Sequence, residues 1–255
     1  MKGNPLFASL LCAAGFVFPC AYARPGNALR NPLPDVTAEV EAQPALGLAQ
    51  PVKISRQAVL DLRAPAEKGD AFSQYALGLS YANGQAVEKD CAEAVRWFRR
   101  AAKQNHALAQ YNLGFCYSEG QGVEKDYAEA AKWFRKAAEQ NVAEAECFLG
   151  FCYYDGKGVE KDYAQAVRWF RKAAEQDSRM GQYSLGVCYA NGQGVEKDCA
   201  EAHAWYNLAA KTSERVAKDR DALETTMSPQ QVADAQKRTK ELQALIEAKL
   251  KSSGK

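Results

Sequence analysis

The sequence predicts an all-α fold: a right-handed α/α superhelical solenoid of four 36-residue helix-turn-helix units, closed by a C-terminal helical cap. Two periodicities and one fixed turn carry that expectation. Tyr75-Ala-Leu-Gly78, Tyr111-Asn-Leu-Gly114, Cys147-Phe-Leu-Gly150 and Tyr183-Ser-Leu-Gly186 recur at this spacing, and so do Trp97-Phe98, Trp133-Phe134, Trp169-Phe170 and Trp205-Tyr206. Between the two marks every unit carries a Gly-containing turn followed by Val-Glu-Lys-Asp, as in Val123 to Asp126. One helix pair cannot bury its own apolar face, so a repeat this strict implies that successive pairs stack and that stability lies largely in the interfaces between neighbours.

The chain opens on Lys2, an apolar run from Leu6 to Phe18 and Ala21-Tyr22-Ala23 before Arg24. Residues 1–23 read as a secretory signal cleaved after Ala23, which places the mature chain in the periplasm or outside the cell, an oxidising compartment. The run is shorter than the ~20 residues that span a bilayer, so no stable membrane anchor is expected after cleavage. Cys20 follows Pro19 and Cys12 follows Leu11, neither of them the small residue that lipoprotein processing requires. Residues 24–56 hold Pro25, Pro32, Pro34, Pro44 and Pro51 without an apolar period and read as a linker. Residues 57–69 form a degenerate helix suited to closing the first face of the repeats.

The repeats occupy residues 70–211. In the second unit Ala107, Tyr111, Gly114 and Tyr117 fall at three- and four-residue steps, one face of a first helix. Gly114 lets a neighbouring helix approach closely, and Gly120 suits a left-handed C-cap. Asp126 with Glu129 marks the start of the second helix in the pattern of a capping box, as do Asp90 with Glu93, Asp162 with Gln165 and Asp198 with Glu201. Its apolar stripe is Ala130, Trp133, Phe134, Ala137 and Ala138, large rings beside small residues. Residues 212–255 read as capping helices: one from Thr212 to Met227, then a new start at Ser228-Pro229-Gln230-Gln231 and a last helix to Lys249. Val232, Ala235, Leu242, Leu245 and Ile246 are its apolar stripe.

The string LGxxYxxGxGVxKDxxxAxxWFxKAAEQ, present from Leu149 to Gln176, resembles the Sel-one-like repeat (SLR) family, relatives of the tetratricopeptide repeats, and the likeness runs from Asp70 to Ala210. The stretch Ala204 to Ala210 and the segment Met227 to Gln231 are similar to the end of bacterial, often exported, members. The resemblance implies a TPR-like solenoid and an adaptor for macromolecular complexes, with another protein or peptide as partner and no chemistry of its own. Ala86, in place of the second turn Gly, and Arg179, in place of the opening Ala, depart from the pattern.

Composition narrows the chemistry. Lys+Arg 33 against Asp+Glu 31 leaves a net charge of +2 and no global field for nucleic acid. The basic pairs Arg99-Arg100, Arg135-Lys136 and Arg171-Lys172 recur beside Glu93, Glu124, Glu129 and Glu160, a balanced solvated face, so no nucleic-acid partner is expected. The two His, His106 and His203, and the lack of a CxxC pair leave no metal site and no cofactor. No HExxH, GxSxG or phosphate-loop motif occurs, and the one S-x-x-K, Ser252 to Lys255, lies at the chain end, so no catalytic residue is assigned. A β-lactam-binding hydrolase, proposed for some cysteine-rich relatives, is the weakest alternative. Cys91, Cys116, Cys147, Cys152, Cys188 and Cys199 read either as small core residues at repeat-equivalent positions or as disulfide partners, Cys188 with Cys199 and Cys91 with Cys116.

Specificity is expected where the four units differ. On the first helices these positions are Phe72, Leu108, Glu144 and Met180; Ala76, Asn112, Phe148 and Ser184; and Asn83, Glu119, Asp155 and Asn191, at steps of four and seven on one face. Phe72, Leu108, Asn112, Glu119, Glu144, Phe148, Asp155, Met180 and Asn191 are the candidate binding groove, suited to a peptide or extended segment. Stacking of such aromatic residues on an envelope glycan or peptidoglycan is the alternative.

Overall fold

The computed structural model describes residues 56–252, all of whose regular elements are helices. The signal and linker expectations lie outside the described residues. The chain divides between Gln140 and Asn141 into two compact units, and each is described by itself. The first holds α1 (Arg56–Glu67), α2 (Ala71–Asn83), α3 (Cys91–Lys103), α4 (Ala107–Glu119) and α5 (Tyr127–Ala138). The second holds α6 (Ala143–Asp155), α7 (Tyr163–Ala174), α8 (Arg179–Asn191), α9 (Cys199–Ala209), a 3-10 turn (Ala210–Thr212), α10 (Glu214–Glu224) and α11 (Pro229–Ser252). Within each, a first helix pairs with its second, and that second helix packs on the next first helix, the arrangement of an α/α solenoid.

Local chemistry sets the element ends. Asp90, Asp126, Asp162 and Asp198 accept a hydrogen bond from the backbone N–H three residues on, at 2.9 to 3.0 Å. Only half of each capping box is used this way. Glu93 and Glu129 turn to Arg96 and Lys132 at 2.9 and 2.6 Å, on the exposed face. First helices end on Gly84, Gly120, Gly156 and Gly192 in the left-handed region, whereas second helices are followed by Asn105, Asn141 and Asp177 with φ of 64°, 61° and 63°. Short polar side chains tolerate that conformation where Gly is absent.

Close approach explains the Leu-Gly mark. A β-carbon at Gly78 would stand 2.5 Å from the Phe98 ring, at Gly114 2.8 Å from Phe134, at Gly150 2.6 Å from Phe170 and at Gly186 2.7 Å from Tyr206. These rings, all buried, fill the notch that the missing side chain leaves. The turn glycine has a different reason. A β-carbon at Gly122 would meet the Cys91 carbonyl of the preceding unit at 2.1 Å, and one at Gly194 the Tyr163 carbonyl at 2.3 Å. Ala86 stands at the equivalent place of the first unit with φ 62°, where the preceding element is α1 and no second helix of a repeat is present.

The caps close each unit differently. Val59, Leu62 and Ala66 of α1 form a cluster with Ala76, Leu77 and Trp97. In the second unit α10 stands in the register of a fifth first helix: Tyr183 donates to Asp219 Oδ2 at 2.8 Å, thirty-six residues away. α11 then packs along α9. Its buried residues are Ala235, Leu242 and Ile246; Leu245, expected in the stripe, is 53% exposed, and Val232 is half-buried. The reason is that α11 buries one narrow seam only.

Candidate interaction surfaces

The expected groove divides by burial. In the first unit Phe72, Leu108 and Glu119 are half-buried, but Asn112 is 3% exposed and donates through Nδ2 to the Tyr75 hydroxyl of the preceding pair at 3.4 Å. In the second, Glu144 and Asn191 are exposed and Asp155 is half-buried beside Lys157 at 3.2 Å. Phe148 and Met180 are buried, Phe148 edge-on to Phe151. Asn112, Phe148 and Met180 are therefore packing residues, a correction to their expected place on an open face. Positions 76, 112, 148 and 184 are all buried although their side chains differ in size. What stays accessible is Phe72, Leu108 and Glu119 in one unit, and Glu144, Asp155 and Asn191 in the other.

The Trp positions divide as well. Trp97 and Trp205 are buried at 5% and 2%, under α1 and α11 respectively, while Trp133 and Trp169 are only half-buried. Equivalent residues thus have different surroundings, which the sequence repeat conceals. Lys136 and Lys172 lie over the two open rings at 4.3 Å. In the fourth unit those basic positions are Leu208, and the turn before it is Ala204, both buried because α11 covers them. Glu201 accepts from Trp205 Nε1 at 3.1 Å and from Arg238 of α11 at 2.7 and 3.2 Å.

Cys188 and Cys199 are free thiols, which corrects the bridge considered for them, and Cys91 and Cys116 are free also. The start of α3 packs on the following turn at Gly122, through Cys91, and the start of α7 on the following turn at Gly194, through Tyr163. Burial is the main cause that raises Cys116, and Cys91 of the preceding pair adds to it. Burial pushes Cys116, Cys152 and Cys188 up to about 12, and Cys147 higher still. Thiols so shifted carry almost no thiolate near neutrality and are poor nucleophiles.

The two His are structural. His106 Nδ1 accepts from the Ala109 N–H at 3.2 Å as the N-cap of α4, and its ring stacks on Tyr75 at 4.6 Å. Burial lowers its pKa, which favours the neutral ring that an accepting Nδ1 requires. His203, buried in α9, meets Glu224 of α10 through Nε2 at 2.9 Å. Among the described residues no group of three or more His, Cys, Asp or Glu could hold a metal ion.

Comparison with known proteins follows the same units. The sequence profile of the Sel1 repeat matches residues 71–106, 107–142, 143–178 and 179–211. The fold is similar to that of a Sel1 repeat protein from Oxalobacter formigenes, 38% identical, with a TM-score of 0.59 over 64% of this chain and 67% of that one. It is also similar to c5321, a protective antigen present in uropathogenic Escherichia coli strains and displaying an SLR fold: 28% identical, TM-score 0.51, over 77% of this chain. The match spans about half, 51%, of that antigen's length. None of the curated proteins compared matches the chain.

Proposed function

The chain belongs to the Sel1 repeat family, and from that premise we propose that it is an exported, non-enzymatic adaptor holding a protein or peptide partner on the first-helix face of its units. Sel1 repeat proteins are generally protein-interaction scaffolds, and the fold is typically non-catalytic. One observation carries the reading further: on a frame of Leu-Gly notches and capped turns that repeats from unit to unit, the accessible first-helix positions do not repeat. Leu108 and Glu144 are equivalent by register yet apolar and acidic, and Glu119, Asp155 and Asn191 differ likewise. Positions that differ in charge and polarity on a constant helical frame are where a partner can be discriminated.

Photo-crosslinking residues placed at positions 108 and 144, followed by mass spectrometry of the adducts from intact cells, test the proposal. The same protein is expected from both, and none from position 160, an exposed turn residue. Equal trapping at 160, or no adduct at 108 and 144, overturns it. Export is tested separately by the amino-terminal residue of the protein recovered from its source, expected to be Arg24. Nitrocefin is expected to remain uncleaved.

A further inference from the structure

We propose that the second-helix face of α3 and α5 is a docking site for an amphipathic helix of a partner protein, basic at its start and acidic at its end. The template lies within the chain. In the second unit α11 runs alongside α9, from Arg238 at Glu201 in the first turn of α9 to Lys249, which reaches Glu175 just past the end of α7 at 2.6 Å. Between these ends Leu242 and Ile246 join Trp205 and Leu208 in one buried cluster. The helix is thus held by a basic clamp on a carboxylate, an apolar centre over the Trp and a second ion pair at the far end.

Two periods earlier the same frame is open. Glu129 stands for Glu201 and Trp133 for Trp205: Trp133 is half-buried where Trp205 is buried, and the Glu129 side chain is 35% exposed against 13% for Glu201. Glu129 has Lys132 at 2.6 Å in its own turn, and Lys136 lies over the Trp133 ring. The far end is inverted in charge: Lys103 occupies the place of Glu175, and Lys136 that of Leu208. An incoming helix therefore needs Arg or Lys against Glu129, an apolar centre on Trp133 and carboxylates against Lys103 and Lys136. The chain's own α11 fits less well, because Lys249 would meet Lys103, and it is already seated on α9, so a partner protein rather than a second copy is the occupant. The third unit has Gln165 in place of the carboxylate, so the clamp is specific to the earlier face.

The probes are two fluorescently labelled synthetic helices of residues 234–252, one of native sequence and one carrying Lys249→Glu, titrated with the full chain by anisotropy at low salt. The Lys249→Glu helix is expected to bind about tenfold tighter. In a Lys103→Glu chain the order is expected to reverse, and in a Trp133→Ala chain with unchanged circular dichroism the preference is expected to vanish. Equal binding of the two helices, an order indifferent to Lys103→Glu, binding unchanged by Trp133→Ala, or no binding at all overturns the proposal. Because crosslinking from positions 108 and 144 reads the other face, its outcome is independent of this one.

Discussion

The thiols of the described residues sit in two settings of different exposure. Cys116, Cys147, Cys152 and Cys188 are buried, while Cys91 and Cys199, first residues of second helices, are half-buried. Mass-spectrometric mapping after brief iodoacetamide treatment of the folded protein is expected to find adducts at Cys91 and Cys199 and unmodified thiols at the other four. The same burial predicts alkaline sensitivity. An exposed thiol ionises near 9, whereas the folded chain holds Cys116, Cys152 and Cys188 neutral up to about 12, and the hydroxyls of Tyr154, Tyr183 and Tyr206 are raised as well. The unfolded chain therefore loses protons that the folded chain keeps, so stability is whole below pH 9 and falls as pH rises from 9 toward 12. Denaturant midpoints measured across that window check the sign. At Gly114 a methyl group would press on Phe134 and the Ala130 carbonyl, so Gly114→Ala is expected to cost ~1–3 kcal/mol by chemical denaturation even though Ala is the better helix former.

Elements that look equivalent in sequence differ by what lies against them. The turns at Ala86 and Gly122 share a left-handed backbone, but only Gly122 has a carbonyl of the preceding unit in the way. Ala86→Gly is expected to leave the melting temperature unchanged or raise it slightly, since relief of a left-handed Ala offsets the added chain entropy. Gly122→Ala is expected to lower it sharply, because the Cys91 backbone must move. Trp133 and Trp205 make the same comparison in the second helices. Trp205→Ala empties a covered site and is expected to cost ~3–5 kcal/mol, and Trp133→Ala markedly less, in matched urea titrations. The helix starts and ends were legible in Asp126, Gly120 and their equivalents, because a cap is a local hydrogen bond between residues three or four apart. The Asn105, Asn141 and Asp177 ends were missed, although a Gln-Asn or Gln-Asp step after each Ala-Ala pair was there to be read.

At the scale of the molecule, α11 is the piece that a repeat cannot supply. It buries Trp205 and Leu208 and ties Glu201 and Glu175, so truncation before Ser228 is expected to lower the melting temperature and to leave Trp205 fluorescence red-shifted and quenchable by acrylamide. A chain in which only Arg238→Ala is made should lose less, since part of that side chain is solvent-exposed. The sequence by itself determined the number of units, the helix pairs, the caps and the reason for the Leu-Gly notch, since each depends on residues near in the chain and is written four times. Only the tertiary structure decided that Asn112 and Phe148 face a neighbouring helix, that Cys199 has no bond to Cys188, and that Trp133 stays open while Trp205 is covered. A period shows that two residues hold the same place within their unit; burial depends on what stands beside that unit, and at the two ends of a stack the neighbours are not repeats.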